Sequence, residues 1–259
     1  MKKKAAIICP IKDENTFIKK FFEYYQRHFD VEDIYILDFG SSEEYLKNVI
    51  GENANIIHTD ANILDALELF NALRKAQSEL YEKYTYVLPL DVDEIIVYNQ
   101  EGGLKKYLEE TDVELVSCIG QEVIHLGFLE PALDHSKKWI DQLNYWYPNI
   151  QHYGKTLISK KELPWSSGYH TYKGETIPIR IANIDPDLFL VHLHKHDYMS
   201  TIKRHKDWSE MEWSENTIKG NHNHHYRQKN LEKIRDWYYA PMFNGIYEIP
   251  ESIKKSINI

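Results

Sequence analysis

A chain of 259 residues with 42% apolar and 27% charged side chains is globular, and long enough for one large domain or two small ones. Its formal charge of −9, with no basic stretch beyond the opening MKKK, argues against nucleic acid as the main partner. A bound nucleotide would need a metal or local donors. The 19 Tyr and 6 Trp fit an aromatic core as well as they fit cleft walls. Cys9 and Cys118 are the only cysteines and have no metal-type spacing, so neither a disulfide framework nor a zinc ribbon is expected. No apolar run approaches the ~20 residues needed to cross a bilayer, and MKKKAAIICPIKDEN turns acidic too soon for a signal peptide. The expectation is a cytoplasmic protein, at most peripheral on the inner face of a membrane.

From residue 4 to 98 strands alternate with helices. KAAIICP is a short apolar run stopped by Pro10, followed by NTFIKKFFEYYQRHF with Phe17, Ile18, Phe21, Phe22, Tyr25 and Phe29 at helical spacing. DIYILDF and ANIIHT read as strands two and three. NILDALELFNALRKAQSEL returns to the helical period through Ile63, Leu67, Phe70 and Leu73, and YTYVLPL is a fourth strand. This alternation predicts an α/β fold, a mostly parallel central sheet with helices on both faces. After residue 98 come a helix at GLKKYLEE, a strand at VELVSCI and long segments rich in Trp, Tyr, Pro and His. Strand-like KTLIS and DLFLVHLH follow, with helical stretches at 199–213 and 227–239. One domain is expected: a nucleotide-type half (1–98), a more irregular half (99–198) and a helical extension (199–259).

In an open parallel sheet, ligands bind beyond the carboxyl ends of the strands. Three polar clusters fall at such ends: KDEN (Lys12 to Asn15), DFGSS (Asp38 to Ser42) and DVDE (Asp91 to Glu94). Asp38 suits a ribose or base hydroxyl, and Gly40, Ser41 and Ser42 offer backbone donors where a helix begins. Helix capping explains the same serines, and by themselves it explains them better. DVDE is harder to explain structurally. In an extended segment Asp91 and Asp93 project to one side and can share a hard divalent cation, which would relieve the repulsion of two carboxylates walled by VLPL and IIV. Such a cation keeps positions for phosphate oxygens and can neutralise a diphosphate leaving group. No GxxxxGK[ST] loop occurs, so a sugar-nucleotide donor fits better than ATP hydrolysis.

A first strand ending in KDE, a second ending in DFGSS and a fourth ending in LPLDVDE resemble the GT-A fold glycosyltransferases of the family 2-like group. EPALDHSKKWIDQ, YGKTLIS, GYH and VHLHKHDYMSTIKRH extend the likeness over residues 5 to 206. The resemblance implies that Asp91 and Asp93 bind Mn2+ or Mg2+ and the donor diphosphate. It also implies that Lys12, Glu14, Asp38 and Ser41 line the nucleotide pocket and that Asn71 faces the donor. Where many relatives carry a further acidic residue after the serines, this chain has Glu43 and Glu44.

HLHKHD places His192, His194 and His196 on one face of a strand, a spacing compatible with a metal site or with histidines hydrogen-bonded in the core. By the resemblance, His194 or else His192 completes the metal shell. His170 and Lys155 are candidates to approach the donor phosphates, although a surface lysine is the plainer reading of Lys155. GNHNHHY (220–226) is a candidate closing loop or a solvated one. Transfer with inversion needs a general base, and Asp134 and Glu122 are the candidates. The expected activity is metal-dependent transfer of a sugar from a UDP-linked donor to a hydroxyl of a surface glycan or glycolipid. The rivals are a sugar nucleotidyltransferase, against which the glycine-free CPIKDENT counts, and a silent nucleotide- or glycan-binding module.

Overall fold

The structure, a computed structural model, describes residues 2–59, 65–149, 154–163, 183–220, 227–243 and 245–259. His170 and residues 221–226 of the His-rich loop lie outside the described residues. The first half is the expected α/β layout. Strands β1 (Lys3–Ile11), β2 (Ile34–Asp38), β3 (Asn55–His58) and β4 (Tyr84–Pro89) form a parallel sheet in the order β3-β2-β1-β4. Helices α1 (Ile18–Tyr25), α2 (Glu43–Tyr45) and α3 (Ala66–Tyr81) make the connections. Successive residues Ile7, Ile8 and Cys9 of β1, and Tyr86, Val87 and Leu88 of β4, are all fully buried. Side chains alternate between faces in a strand, so both faces of the sheet are covered, which is why these strands read as unbroken apolar runs.

Among the described residues, the second half adds strands to the long irregular segments expected there. β5 (Glu94–Tyr98), α4 (Gly103–Glu110), β6 (Leu115–Ile124), β7 (Tyr145–Pro148), β8 (Ile158–Ser159), β9 (Ile184–Lys195) and β10 (Tyr247–Glu248) supply a second, mixed sheet. Its order is β10-β7-β6-β9-β5, with β8 paired to β6. β9 lies antiparallel to β5 and parallel to β6. Helices α5 (Tyr198–Glu210), α6 (Glu215–Lys219), α7 (Leu231–Tyr239) and α8 (Glu251–Ile257) complete the chain. One continuous apolar cluster runs from Ala6 in β1 through Leu190 in β9 to Ile257 in α8.

Two features of the seam between the sheets place the site. β4 ends at Pro89 and β5 begins at Glu94, so DVDE is the corner where the chain leaves one sheet for the other. β5 is an edge strand, and α1 occupies its open side. The Tyr25 hydroxyl donates to the Glu94 carbonyl (3.0 Å) and accepts from the Ile96 N–H (3.0 Å), while Tyr24 donates to the Ile96 carbonyl. Edge N–H and C=O groups otherwise invite foreign strands, and here two tyrosines satisfy them.

Candidate functional site at the seam of the two sheets

The three clusters predicted at the carboxyl ends do converge. Asp13 accepts from the Ser42 N–H (2.9 Å) and hydroxyl (3.0 Å), and its own N–H donates to the Ser41 hydroxyl oxygen (3.0 Å). That tie holds Asp13 at a φ of 43°, in the left-handed region an aspartate tolerates better than most residues. The Arg204 guanidinium from α5 donates to Asp93 (2.9 Å) and lies 3.9 Å from Glu14.

Most polar groups at the first two strand ends are engaged in local structure. Glu14 accepts from the N–H groups of Thr16 (3.0 Å), Phe17 (2.9 Å) and Ile18 (3.1 Å), so both carboxylate oxygens cap the start of α1. Asp38 accepts from the Ser41 N–H (2.9 Å) and faces the His58 ring at 3.3 Å. Ser42 caps α2 by accepting from the Tyr45 N–H (3.2 Å). Capping therefore accounts for Glu14 and Ser42, while Asp38 and Ser41 are bonded within the loops after β1 and β2. Lys12 is half-buried beside them, and Asn71 is exposed on α3.

The acidic motif departs from its expected shape. It is not extended: Val92 and Asp93 form a turn closed by the Glu94 N–H on the Asp91 carbonyl (3.0 Å). Period-two alternation does not apply in a turn, and the two aspartates have separate partners. Asp91, half-exposed, lies 3.3 Å from Lys155 Nζ. Lys155 is not a surface lysine. It is 1% exposed, directly preceding the buried stretch from Thr156 to Ser159, and it also donates to Glu94, which is 0% exposed. Burial pushes the Glu94 carboxyl up to about 7 against the pull of Lys155. Burial opposes the Lys155 charge too, but Glu94 and Asp91 outweigh it and raise its pKa.

Asp93, 4% exposed, faces the other way. His192 Nε2 is 3.4 Å from its Oδ1 and His194 Nδ1 is 3.4 Å from its Oδ2. Ligand atoms of Asp93, His192 and His194 all lie within 4.8 Å of one another, a set that can hold a metal ion and does not include Asp91. The strands explain the grouping. β9 lies between β5 and β6, with Glu94, His192 and Glu122 in register across the three, and His194 follows two residues on along the same face. Glu122, a candidate base, instead sits 2.8 Å from His192 Nδ1 and fixes that ring so that Nε2 points at Asp93. A carboxylate behind a histidine in this way is a usual support for a metal ligand. His196, the third histidine of the run, is not in the cluster. It lies just past β9, stacked on Trp139 with ring centroids 4.4 Å apart.

Charge at the cluster is sharply polarised. Burial alone would raise the Asp93 pKa, but His192, Arg204 and bonds from both histidines hold it well below the usual carboxylate range. For His192, burial is outweighed by Glu122 and Asp93, and its pKa rises to about 10. His194 goes the other way: burial, with Arg204 and His192 adding to it and Asp93 opposing, keeps it neutral, the form that binds a metal. Without an added cation, the two carboxylates are balanced by a proton on His192 and by Arg204. Two imidazole nitrogens with one carboxylate oxygen suit a borderline divalent transition-metal ion better than a hard ion such as Mg2+.

Asp134, the other candidate base, is half-exposed. It accepts from the Ser136 N–H (3.0 Å) and hydroxyl (2.6 Å) and pairs with Lys137 (3.1 Å). Those contacts, Ser136 first, lower its pKa to about 2. Arg204 had no assigned role in the sequence. It lies ten residues after His194, on the next element, and no spacing motif links the two.

No family model matches the sequence, and no curated protein matches it. Solved structures similar in part include glucosyl-3-phosphoglycerate synthase from Mycobacterium tuberculosis. Its complex with Mn2+, UDP and glucosyl-3-phosphoglycerate aligns at 16% identity and TM-score 0.32, over 46% of this chain and 44% of that one. Its complex with UDP aligns at 15% identity and TM-score 0.33, over 64% and 61%. A mycobacterial protein aligns at 17% identity and TM-score 0.34, over 46% and 41%. The chain thus covers less than two thirds of the length of each of these neighbours. Among the described residues, no helix is long and apolar enough to cross a membrane.

Proposed function

We propose that this chain is a metal-dependent glycosyltransferase of GT-A type, moving a sugar from a UDP-linked donor to a hydroxyl of a surface glycan or glycolipid, with inversion. The observation that carries the reading is the buried Asp93–His192–His194 cluster at the seam between the parallel and mixed sheets, with Glu122 supporting one histidine. It rests also on the resemblance of KDE, DFGSS and LPLDVDE to that family. Donor sugar and acceptor would meet in one domain built from both sheets, at the cytoplasmic side of a membrane if the acceptor is lipid-linked.

In this reading Asp93, His192 and His194 hold Mn2+ or Mg2+, which when bound neutralises the charge that develops on a departing diphosphate. The rest is done by the chain itself. Glu122 sets the direction of His192. The Lys155–Glu94 pair fixes the turn from beneath, and Asp91, partly open to solvent, is placed to accept a donor hydroxyl. Lys12 and His170 remain the candidates to approach the nucleotide and its phosphates. Neither Asp134 nor Glu122 is assigned as the base, because one is bound up in an exposed turn and the other is committed to His192.

A thermal-shift screen of nucleotide sugars with and without Mn2+ tests the reading, since a ligand that binds only the folded state raises its melting temperature. A UDP-sugar should raise it only when metal is present. Stabilisation by triphosphates alone would favour the nucleotidyltransferase instead.

A further inference from the structure

Arg204 contacts two of the three residues that could hold a metal, Asp93 and His194. Its Nη1 lies 2.9 Å from Asp93 Oδ2 and 3.4 Å from His194 Nδ1, and those two atoms are themselves 3.4 Å apart. The three form a small triangle with the guanidinium nitrogen at one corner. Asp93 Oδ2 accepts from the guanidinium, and His194 Nδ1 lies close to both.

The placement is built in. Asp197 caps α5 by accepting from the Ser200 N–H (2.7 Å), and the Thr201 hydroxyl donates to the His194 carbonyl (2.9 Å), so α5 is clamped to the end of β9. Arg204 therefore returns over the strand it has just left. Its guanidinium also rests 4.6 Å from the centre of the Phe17 ring and 5.9 Å from that of Trp208, with Glu14 at 3.9 Å. These neighbours surround the guanidinium while it bonds Asp93.

We infer that Arg204 is an exchangeable counter-cation: it holds Asp93 and His194 in the ligand-free protein and must leave them when a divalent ion enters. This rests on the metal reading given above. An arginine does not deprotonate, so it cannot lose its charge to make room, and two cations on one carboxylate oxygen repel. Metal entry alone is then opposed. A donor diphosphate brings the negative charge that compensates the displaced guanidinium, so metal and nucleotide bind as a coupled pair. Coupling of this kind is reciprocal: whatever UDP does to the affinity for the ion, the ion does to the affinity for UDP.

The test is a Mn2+ titration by calorimetry, with and without UDP, on the wild-type protein and on Arg204→Met, with melting curves confirming that each is folded. Wild type should bind Mn2+ about tenfold or more tightly with UDP than without. Arg204→Met should bind Mn2+ alone about tenfold more tightly than wild type, and should lose most of the UDP effect. A residue with a merely structural role would weaken Mn2+ binding when replaced, so a folded Arg204→Met with equal or lower affinity overturns the inference and leaves the metal reading standing. If neither protein binds Mn2+ with or without UDP, the metal reading fails and takes this inference with it. Should Arg204→Met not fold, Arg204→Lys decides: it keeps the charge but lacks the planar fork that spans two ligand atoms. Tighter Mn2+ binding than wild type supports exchange, and unchanged binding overturns it.

Discussion

Asp91 and Asp93 stand two residues apart in one turn, and their charges are balanced in opposite ways. Asp91 leans on Lys155, an ammonium that is fully buried, shared with Glu94 and unable to leave without unfolding the floor of the site. Asp93 leans on two buried histidines of β9 and on an arginine of α5. The first arrangement is a fixture and the second is suited to exchange. The two aspartates of the motif thus have separate partners, Lys155 for Asp91 and two histidines with Arg204 for Asp93.

Breaking the fixture should cost the most. Lys155→Met leaves Glu94 buried opposite no cation, and unpaired buried charges of this kind destabilise by roughly 3–5 kcal/mol. Adding Glu94→Gln should recover most of that loss in a denaturant titration, and if the double variant is no better than the single one, the pair is not the fixture described. On the exchange side, Glu122→Gln should leave the fold intact and lower metal affinity by about 10–100-fold, the usual cost of losing the partner behind a histidine ligand. Unchanged Mn2+ affinity would show that His192 needs no such support.

Acid stability should depend on neither aspartate first, but on histidines buried neutral elsewhere. Burial, with Arg27 and Lys105 nearby, lowers His28 to about 4, and burial lowers His196 to about 3. Their folded pKa values lie below the unfolded value of about 6.5, so the unfolded chain binds more protons between those limits. The stabilisation is complete above about pH 6.5 and is lost as pH falls toward 4. His28→Gln should flatten this slope in the urea midpoint, and an unchanged slope would assign it elsewhere. The smallest effect is expected at Asp134. If it caps a turn, Asp134→Asn changes turnover by less than about threefold, whereas a general base would be worth about 10²–10⁴-fold.

The parallel sheet could be read from sequence because β1, β2 and β4 are buried on both faces and flanked by amphipathic helices. Each of these leaves a local period. β6 and β9 left weaker signals: β6 runs five residues past VELVSCI, through the polar GQE, and buries Gln121 and Glu122 all the same. Asp93, His192 and His194 were named from acidic and histidine spacing. Their separation from Asp91 was not foreseeable, because alternation along an extended chain was assumed where a turn closes. Lys155 and Arg204 were hidden for another reason. A single basic residue has no period, and only the pairing of distant elements reveals what charge it meets.

The central claim is that Asp93 with its two histidines, and not Asp91, binds the divalent ion. Calorimetric titration of Mn2+ into the wild-type protein and into Asp93→Asn and Asp91→Asn, each with UDP present, tests it most directly. One ion per chain should bind to wild type and to Asp91→Asn, and binding should be lost in a folded Asp93→Asn. Equal affinity in wild type and Asp93→Asn would contradict the account.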